Sequence, residues 1–202
     1  MSLLDSIKSV FGVGAESAAS RSGDPEDLFG MSTAYLTMEA DLGYSSAGDA
    51  GLLFNGVDSS EFRQAVEEVE SILEAGAKDT GTEFEVRDDP RGGEWVVLHD
   101  PDFEDLVTSV HFAADQLAEA GFGSRLLSGV FSFEDADGRS VYWIYSFRRG
   151  AYYPFVPTGT NTQDTSTQVK LESVLDGELT VESDKSYWYP LWPETPGGDP
   201  WG

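Results

Sequence analysis

The chain has 202 residues, with 12 Lys+Arg against 37 Asp+Glu, giving a formal charge of -25 at pH 7. Nucleic acid is excluded as the default partner, because binding it needs a basic face that displaces counterions from phosphates. Hydrophobic residues at 40% and aromatics at 12% still supply a folded core, while the absence of cysteine removes disulfides, thiolate metal cages and a cysteine nucleophile.

Leu3, Leu4, Ile7, Val10 and Phe11 recur at offsets 0, 1, 4, 7 and 8, which predicts an amphipathic helix over residues 1–11. Ser2 and Asp5 form its capping pair, and Gly12 and Gly14 stop it. This helix is too short to span a bilayer, which takes about 20 apolar residues, and it has no basic start or cleavage region of a signal peptide. Alone in water it is marginal, so it is expected to order against the body, a partner helix or a membrane surface. Residues 12–30, rich in Gly, Ala and Ser, read as a flexible linker, and residues 31–202 as one domain.

Within that domain Phe62, Ala65, Val66, Val69, Ile72 and Leu73 predict one long helix, with Asp58 and Glu61 as its capping box and Gly76 past its end. Thr82 to Arg87 and Glu94 to His99 alternate around a turn at 88–93 and form a hairpin. A second long helix carries Phe103, Leu106, Val107, Val110, Ala114 and Leu117, with Asp100 as cap, Pro101 at the first helical position and Gly121 as its stop. Runs at 126–133, 140–147 and 151–156 give a three-stranded meander, with an Asp137-Gly138 turn between the first two. A third, shorter helix is expected from Asp164 to Leu175, and a strand from Leu179 to Glu182. Adjacent hairpins interrupted by helices predict a layered α+β fold with a largely antiparallel sheet.

No motif assigns a catalytic residue or calls for a cofactor. The only histidines are His99 and His111, and their spacing gives no metal pattern: one ends a strand and the other flanks an apolar helical stripe. Glu134 to Gly138 has the start of a calcium loop without the bidentate Glu at its twelfth position, and reads as a hairpin turn. There is no P-loop, dinucleotide fingerprint, nucleophile elbow or zinc-protease motif.

Two stretches are less ordinary. Arg148 and Arg149 stand together in a chain with twelve cations, and Tyr152, Tyr153, Pro154, Phe155 and Pro157 follow them. Near the C-terminus, Tyr187 to Pro193 holds Trp188, Trp192 and two more rings between prolines. Proline keeps both stretches off central strands, so their rings are expected on edge or irregular backbone, where partners are met. Arg148, Arg149, Tyr152, Tyr153, Phe155, Trp188 and Trp192 are therefore the candidate protein-binding surface, with the helix of Leu3, Leu4, Ile7, Val10 and Phe11 as a second contact. A pocket for a small molecule or peptide built from the same rings, and an uncharacterised enzyme, are the alternatives.

The run Ala120-Gly121-Phe122-Gly123, then Leu126-Leu127, Val130-Phe131, Phe133, Asp135 and Asp137-Gly138, continues with Arg149-Gly150, Tyr153-Pro154-Phe155, Pro157, Trp188 and Pro190-Leu191-Trp192. With Ser2-Leu3-Leu4-Asp5 at the start, this pattern resembles the PspA-associated PspAB family, in a haloarchaeal version. Departures are the long 12–30 segment and Ser128 at a position where bacterial members carry cysteine. The resemblance implies a non-enzymatic accessory protein of a membrane-stress system. Its implied partner is a PspA-type protein or a membrane peptidase, and its place is the cytoplasm or the inner face of the cytoplasmic membrane. It transfers no catalytic residue.

The acids are spread along the chain and only Lys8, Lys78, Lys170 and Lys185 are lysines. That composition suits concentrated salt, where screening over about 3 Å at 1 M makes the charge density tolerable. Dialysis from molar to low salt is expected to unfold the chain, and a far-UV circular dichroism spectrum unchanged by dialysis would contradict the halophilic reading.

Overall fold

Strand β1 (Ser45–Phe54) is apolar on both of its faces: from Ala50 to Phe54 every residue is buried. A strand of that kind needs a neighbour on each edge and a layer above and below. In the computed structural model, which describes residues 22–195 and 197–202, β1 has all four. Its edges pair with β3 (Glu94–His99) and β4 (Leu126–Glu134), and the sheet continues outward to β2 (Glu83–Asp88) on one side. On the other side follow β5 (Ser140–Ser146) and β6 (Ala151–Phe155), giving the order β2-β3-β1-β4-β5-β6 with every pairing antiparallel. A small hairpin, β7 (Pro157–Gly159) and β8 (Thr162–Gln163), stands apart. The fold is α+β.

Helices cover one face of the sheet. Helix α1 (Gly30–Thr37) continues into a wider turn at Met38–Leu42, α2 spans Ser60–Thr80, α3 Phe103–Leu117 and α4 Thr165–Leu175. Period-2 alternation sends Leu52, Val96, Leu98, Phe131, Phe133 and Trp143 toward Phe62, Leu106, Val107 and Val110 of the helices, in one continuous core. The alternate residues Leu53, Trp95, Val97, Val130, Tyr142 and Ile144 point the other way and form a second core under the C-terminal segment.

Several sequence expectations shift by local chemistry. The stretch expected as a linker to residue 30 is described from Ser22 onward, and Pro25–Phe29 in it is a 3₁₀ turn. Asp24 caps this turn by accepting the Glu26 amide at 3.1 Å, and Leu28 is fully buried. One buried leucine produces no periodicity, which is why composition read it as linker. Helix α1 went unpredicted for a similar reason: Met31, Ala34 and Met38 are its buried line, among Ser and Thr.

The cap of α2 is Ser59, which accepts the Phe62 amide at 3.0 Å, and not Asp58; the helix runs through Gly76 to Gly81, whose φ of 86° ends it. The cap of α3 is Asp102 rather than Asp100, so Pro101 precedes the helix. Asp100 is instead buried, accepting the Asp102 amide at 2.8 Å and the Thr82 hydroxyl. The strand expected at 179–182 is reduced to isolated parallel bridges, Leu179 with Asp176 and Val181 with Tyr152. Tyr152 donates to the Thr180 carbonyl and Glu182 to that of Tyr152, both at 2.8 Å, which shields the free edge of β6.

Gly51 is the point where β1 and the C-terminal layer meet most closely. A Cβ there would stand 2.8 Å from the Trp201 ring and 2.9 Å from the Trp95 ring. Gly51→Ala is expected to cost about 1–3 kcal/mol by overpacking and to increase acrylamide quenching of tryptophan fluorescence. Gly76→Ala, with nothing within 4 Å of its added methyl, is expected to raise stability by up to about 1 kcal/mol in urea denaturation at fixed salt.

Candidate functional site

From Asp184 to Gly202 the chain crosses the second face of the sheet as a strap with little regular structure. Prolines 190, 193 and 200 remove amide donors from it, so its carbonyls are left to side chains of the sheet. The Tyr153 hydroxyl donates to the Tyr189 carbonyl at 3.0 Å, and the Trp188 indole N–H to the Glu182 carbonyl at 2.8 Å. Arg91 reaches the carbonyls of Trp192 and Pro200 at 3.0 and 2.8 Å, and Arg87 those of Trp201 and Gly202 at 3.1 and 3.2 Å. The Tyr142 hydroxyl donates to Asp199 at 2.9 Å. Burial pushes the Tyr142 and Tyr153 phenols well up from their ordinary range, so both remain neutral donors.

The two ring-rich stretches singled out in the sequence lie side by side. Trp188 stacks on Tyr153 with centroids 6.4 Å apart, and the Trp192 ring meets Phe155 edge-on at 5.1 Å. The Arg149 guanidinium lies 4.0 Å from the Tyr187 ring centre, and its Nε donates to the buried Glu182 carboxylate at 2.6 Å. Lys185 sits 4.7 Å over the Trp188 ring. Both cations thus fix rings through their faces.

Depth differs along these stretches, and the expected surface is corrected accordingly. Tyr152, Tyr153 and Phe155 are interior, at 2%, 3% and 1% exposure, so they pack within the sheet and its two cores and not on the expected surface. Tyr152 faces the helices, where its hydroxyl donates to the carbonyl of Leu28 at 3.0 Å. The edge of β6 is covered by residues 179–182 and its outer face by the strap, which buries rings that proline had placed on an edge strand. Trp188 and Trp192 remain half-buried, and Tyr189 stands 59% exposed.

The arginine pair separates. Arg149 contacts the strap, whereas Arg148 is exposed and borders a groove of about 630 Å³ with Pro25, Ala118, Leu126, Leu127 and Phe147. The candidate helix residues Leu3, Leu4, Ile7, Val10 and Phe11 lie outside the described residues. Tyr189 lies within the ring-rich stretch singled out in the sequence, whereas Lys185, Arg87, Arg91 and Trp201 were missed; the pairing of scarce cations with a proline-rich terminus was the available signal.

The histidines are apart in role as well as in sequence. His111, in α3, is buried with Nε2 3.2 Å from Glu26, between the rings of Phe29 and Phe112. His99, at the end of β3, is hydrogen-bonded through Nδ1 to the Asp49 carboxylate at 2.9 Å. Among the described residues no group of three or more His, Asp or Glu is arranged to hold a metal ion. The Asp135 carboxylate accepts the amides of Asp137 and Arg139 at 2.9 and 3.0 Å, closing the β4–β5 hairpin. A cleft of about 510 Å³ next to that turn is lined by Arg139, Asp164, Thr158 and Pro193, and by none of the candidate rings.

The family model described as PspA associated protein B matches residues 1–201. The chain belongs to the PspAB family. No curated protein and no solved structure matches it. The family's name associates it with PspA, and among the described residues of this PspAB chain no helix is long and apolar enough to cross a membrane.

The hydrogen bond to Asp49 raises the His99 pKa above 6.5. A raised folded-state pKa contributes stability that is complete below the unfolded value and is lost as pH rises through the folded one. The urea midpoint is therefore expected to fall between about pH 6 and pH 8 at fixed high salt, with a smaller fall in His99→Gln. Equal slopes for the two proteins would show that this pair contributes nothing.

Proposed function

We propose that this PspAB chain is a non-enzymatic accessory protein that binds a PspA-type protein partner through the outer side of the strap. The observation that carries the reading is the state of its rings. Tyr189 is 59% exposed, and Trp188, Leu191 and Trp192 are half-buried on irregular backbone that Arg91, Tyr153 and Lys185 hold in place. Aromatic side chains immobilised before contact lose little entropy on binding, which is how a few of them dominate an interface. The family name supplies the class of partner. Work at the inner face of the cytoplasmic membrane follows from the same association and belongs to this proposal.

The strap's solvent side, and not the interior tyrosines, is then the place to test. Tyr189→Ala removes an exposed ring while leaving the carbonyl that Tyr153 uses, so the fold is retained. In a titration of the full chain with the PspA protein of the same organism at molar salt, Tyr189→Ala combined with Trp192→Ala is expected to weaken binding by about thirtyfold. Arg148→Ala, on the other side of the sheet, is expected to change it little. Unaltered affinity for the double variant, with its circular dichroism intact, would remove the strap as the contact.

A further inference from the structure

One part of the helical side has the opposite chemistry, although α2 and α4 beside it carry Arg63, Lys78 and Lys170. The elements from Pro25 to Leu42, together with α3 and the turn after it to Phe122, contain no lysine or arginine. They carry Glu26, Asp27, Glu39, Asp41, Glu104, Asp105, Asp115 and Glu119. On this anionic layer large apolar side chains are left outside. Phe29 is 37% exposed, Leu36 63% and Phe112 49%.

These residues are placed by the same packing that builds the core. Met31, Ala34 and Met38 turn the buried line of α1 inward. Leu36 follows Ala34 by two residues, a rotation of about 200°, and so points outward; Phe29 precedes Leu36 by seven residues and lies on that same side. The Phe29 ring packs on His111 with centroids 4.5 Å apart, and the Phe112 ring lies 5.7 Å from the same imidazole. His111 is held by Glu26 and is 6% exposed, so both outward rings contact one buried, fixed side chain. Arg148 borders the groove that includes Pro25 and Ala118 at one end of the layer.

We infer that the Phe29–Leu36–Phe112 face docks a basic amphipathic helix, with its apolar stripe on the three side chains and its Lys or Arg flanks toward the surrounding carboxylates. Charge decides the class of occupant. An acidic lipid surface is repelled by the eight carboxylates of these cation-free elements, and an apolar partner without basic residues leaves those carboxylates uncompensated. A helix with anchors at i, i+3, i+4 and i+7 presents both features on one side. This face lies across the sheet from the strap, so the inference does not rest on the strap reading, and an accessory protein with both faces joins two different surfaces.

The probe is a synthetic Lys/Leu peptide of about 18 residues with leucines at helical spacing, compared with a scrambled peptide of the same composition. Both are titrated against the full chain at molar salt, where non-specific attraction is screened. The helical peptide is expected to bind at least about tenfold more tightly than the scrambled one. Leu36→Ala with Phe112→Ala is expected to remove that difference, while Tyr189→Ala leaves it in place. Since both altered residues are outward, circular dichroism should be unchanged.

Equal binding of the two peptides, or a full preference retained by the double variant, overturns the inference. So does sedimentation with vesicles rich in phosphatidylglycerol that depends on Leu36 and Phe112, because a membrane would then be the occupant. A gain in peptide affinity on Ile7→Ser with Val10→Ser would likewise replace the external helix by the chain's own N-terminal segment. A strap failure in the PspA titration alters none of these readings, so the two proposals fail separately.

Discussion

The sheet has two apolar faces and the helices cover only one. Leu53, Trp95, Val97, Val130, Tyr142, Ile144, Tyr153 and Phe155 form the other side. At about 1.5–3 kcal/mol for each large side chain, leaving that side in water would cost as much as the net stability of a whole domain, about 5–15 kcal/mol. The C-terminal strap is therefore part of the fold's thermodynamics as well as the proposed contact surface. Residue choice at Gly51 expresses the same constraint, since only a missing side chain lets Trp201 approach β1 over Trp95.

An irregular strap must solve a backbone problem that a strand or helix solves internally. Its prolines supply carbonyls without amide donors, and buried carbonyls need partners. The guanidinium group, with five donors in one plane, suits that task, and Arg87 and Arg91 on the β2–β3 hairpin reach four strap carbonyls between them. Tyr142 and Tyr153 add hydroxyl donors from β5 and β6, at the other half of the sheet. The strap is thus fastened across the full width from β6 to β2, and its ring side chains keep fixed positions.

Periodicity made α2 and α3 legible, because each repeats large apolar residues along one face for four turns or more. The hairpins were legible from their turns, as with Asp137-Gly138, where Gly138 takes φ of 74°. Caps were displaced by one or two residues since Asp58, Ser59, Asp100 and Asp102 all have capping chemistry, and only the backbone path selects among them. Helix α1 was hidden because three buried residues among hydroxyls give a weak signal. The lateral pairing of the 148–157 and 187–193 stretches follows from their shared composition, but depth does not: whether Tyr153 and Phe155 face water depends on a strap that begins thirty residues later.

Scarce cations make the charge distribution informative. Of the described ones, Arg87, Arg91, Arg149 and Lys185 all serve the strap, through carbonyls, through Glu182 and Glu172, or through the faces of Tyr187 and Trp188. The polar contacts among these, at 2.6–3.2 Å between neighbouring groups, are shorter than or comparable to the screening distance of about 3 Å at 1 M salt, so they persist where long-range attraction is lost. The helical layer has no such use for cations because its backbone is satisfied internally and its core is apolar. The elements that carry Phe29, Leu36 and Phe112 have no cation, while Arg63 and Lys78 in α2 and Lys170 in α4 keep the rest of the helical layer mixed in charge. The contrast in charge therefore runs between the strap's anchors and this one patch, and selectivity between the two as contact surfaces is a consequence of how the strap is held.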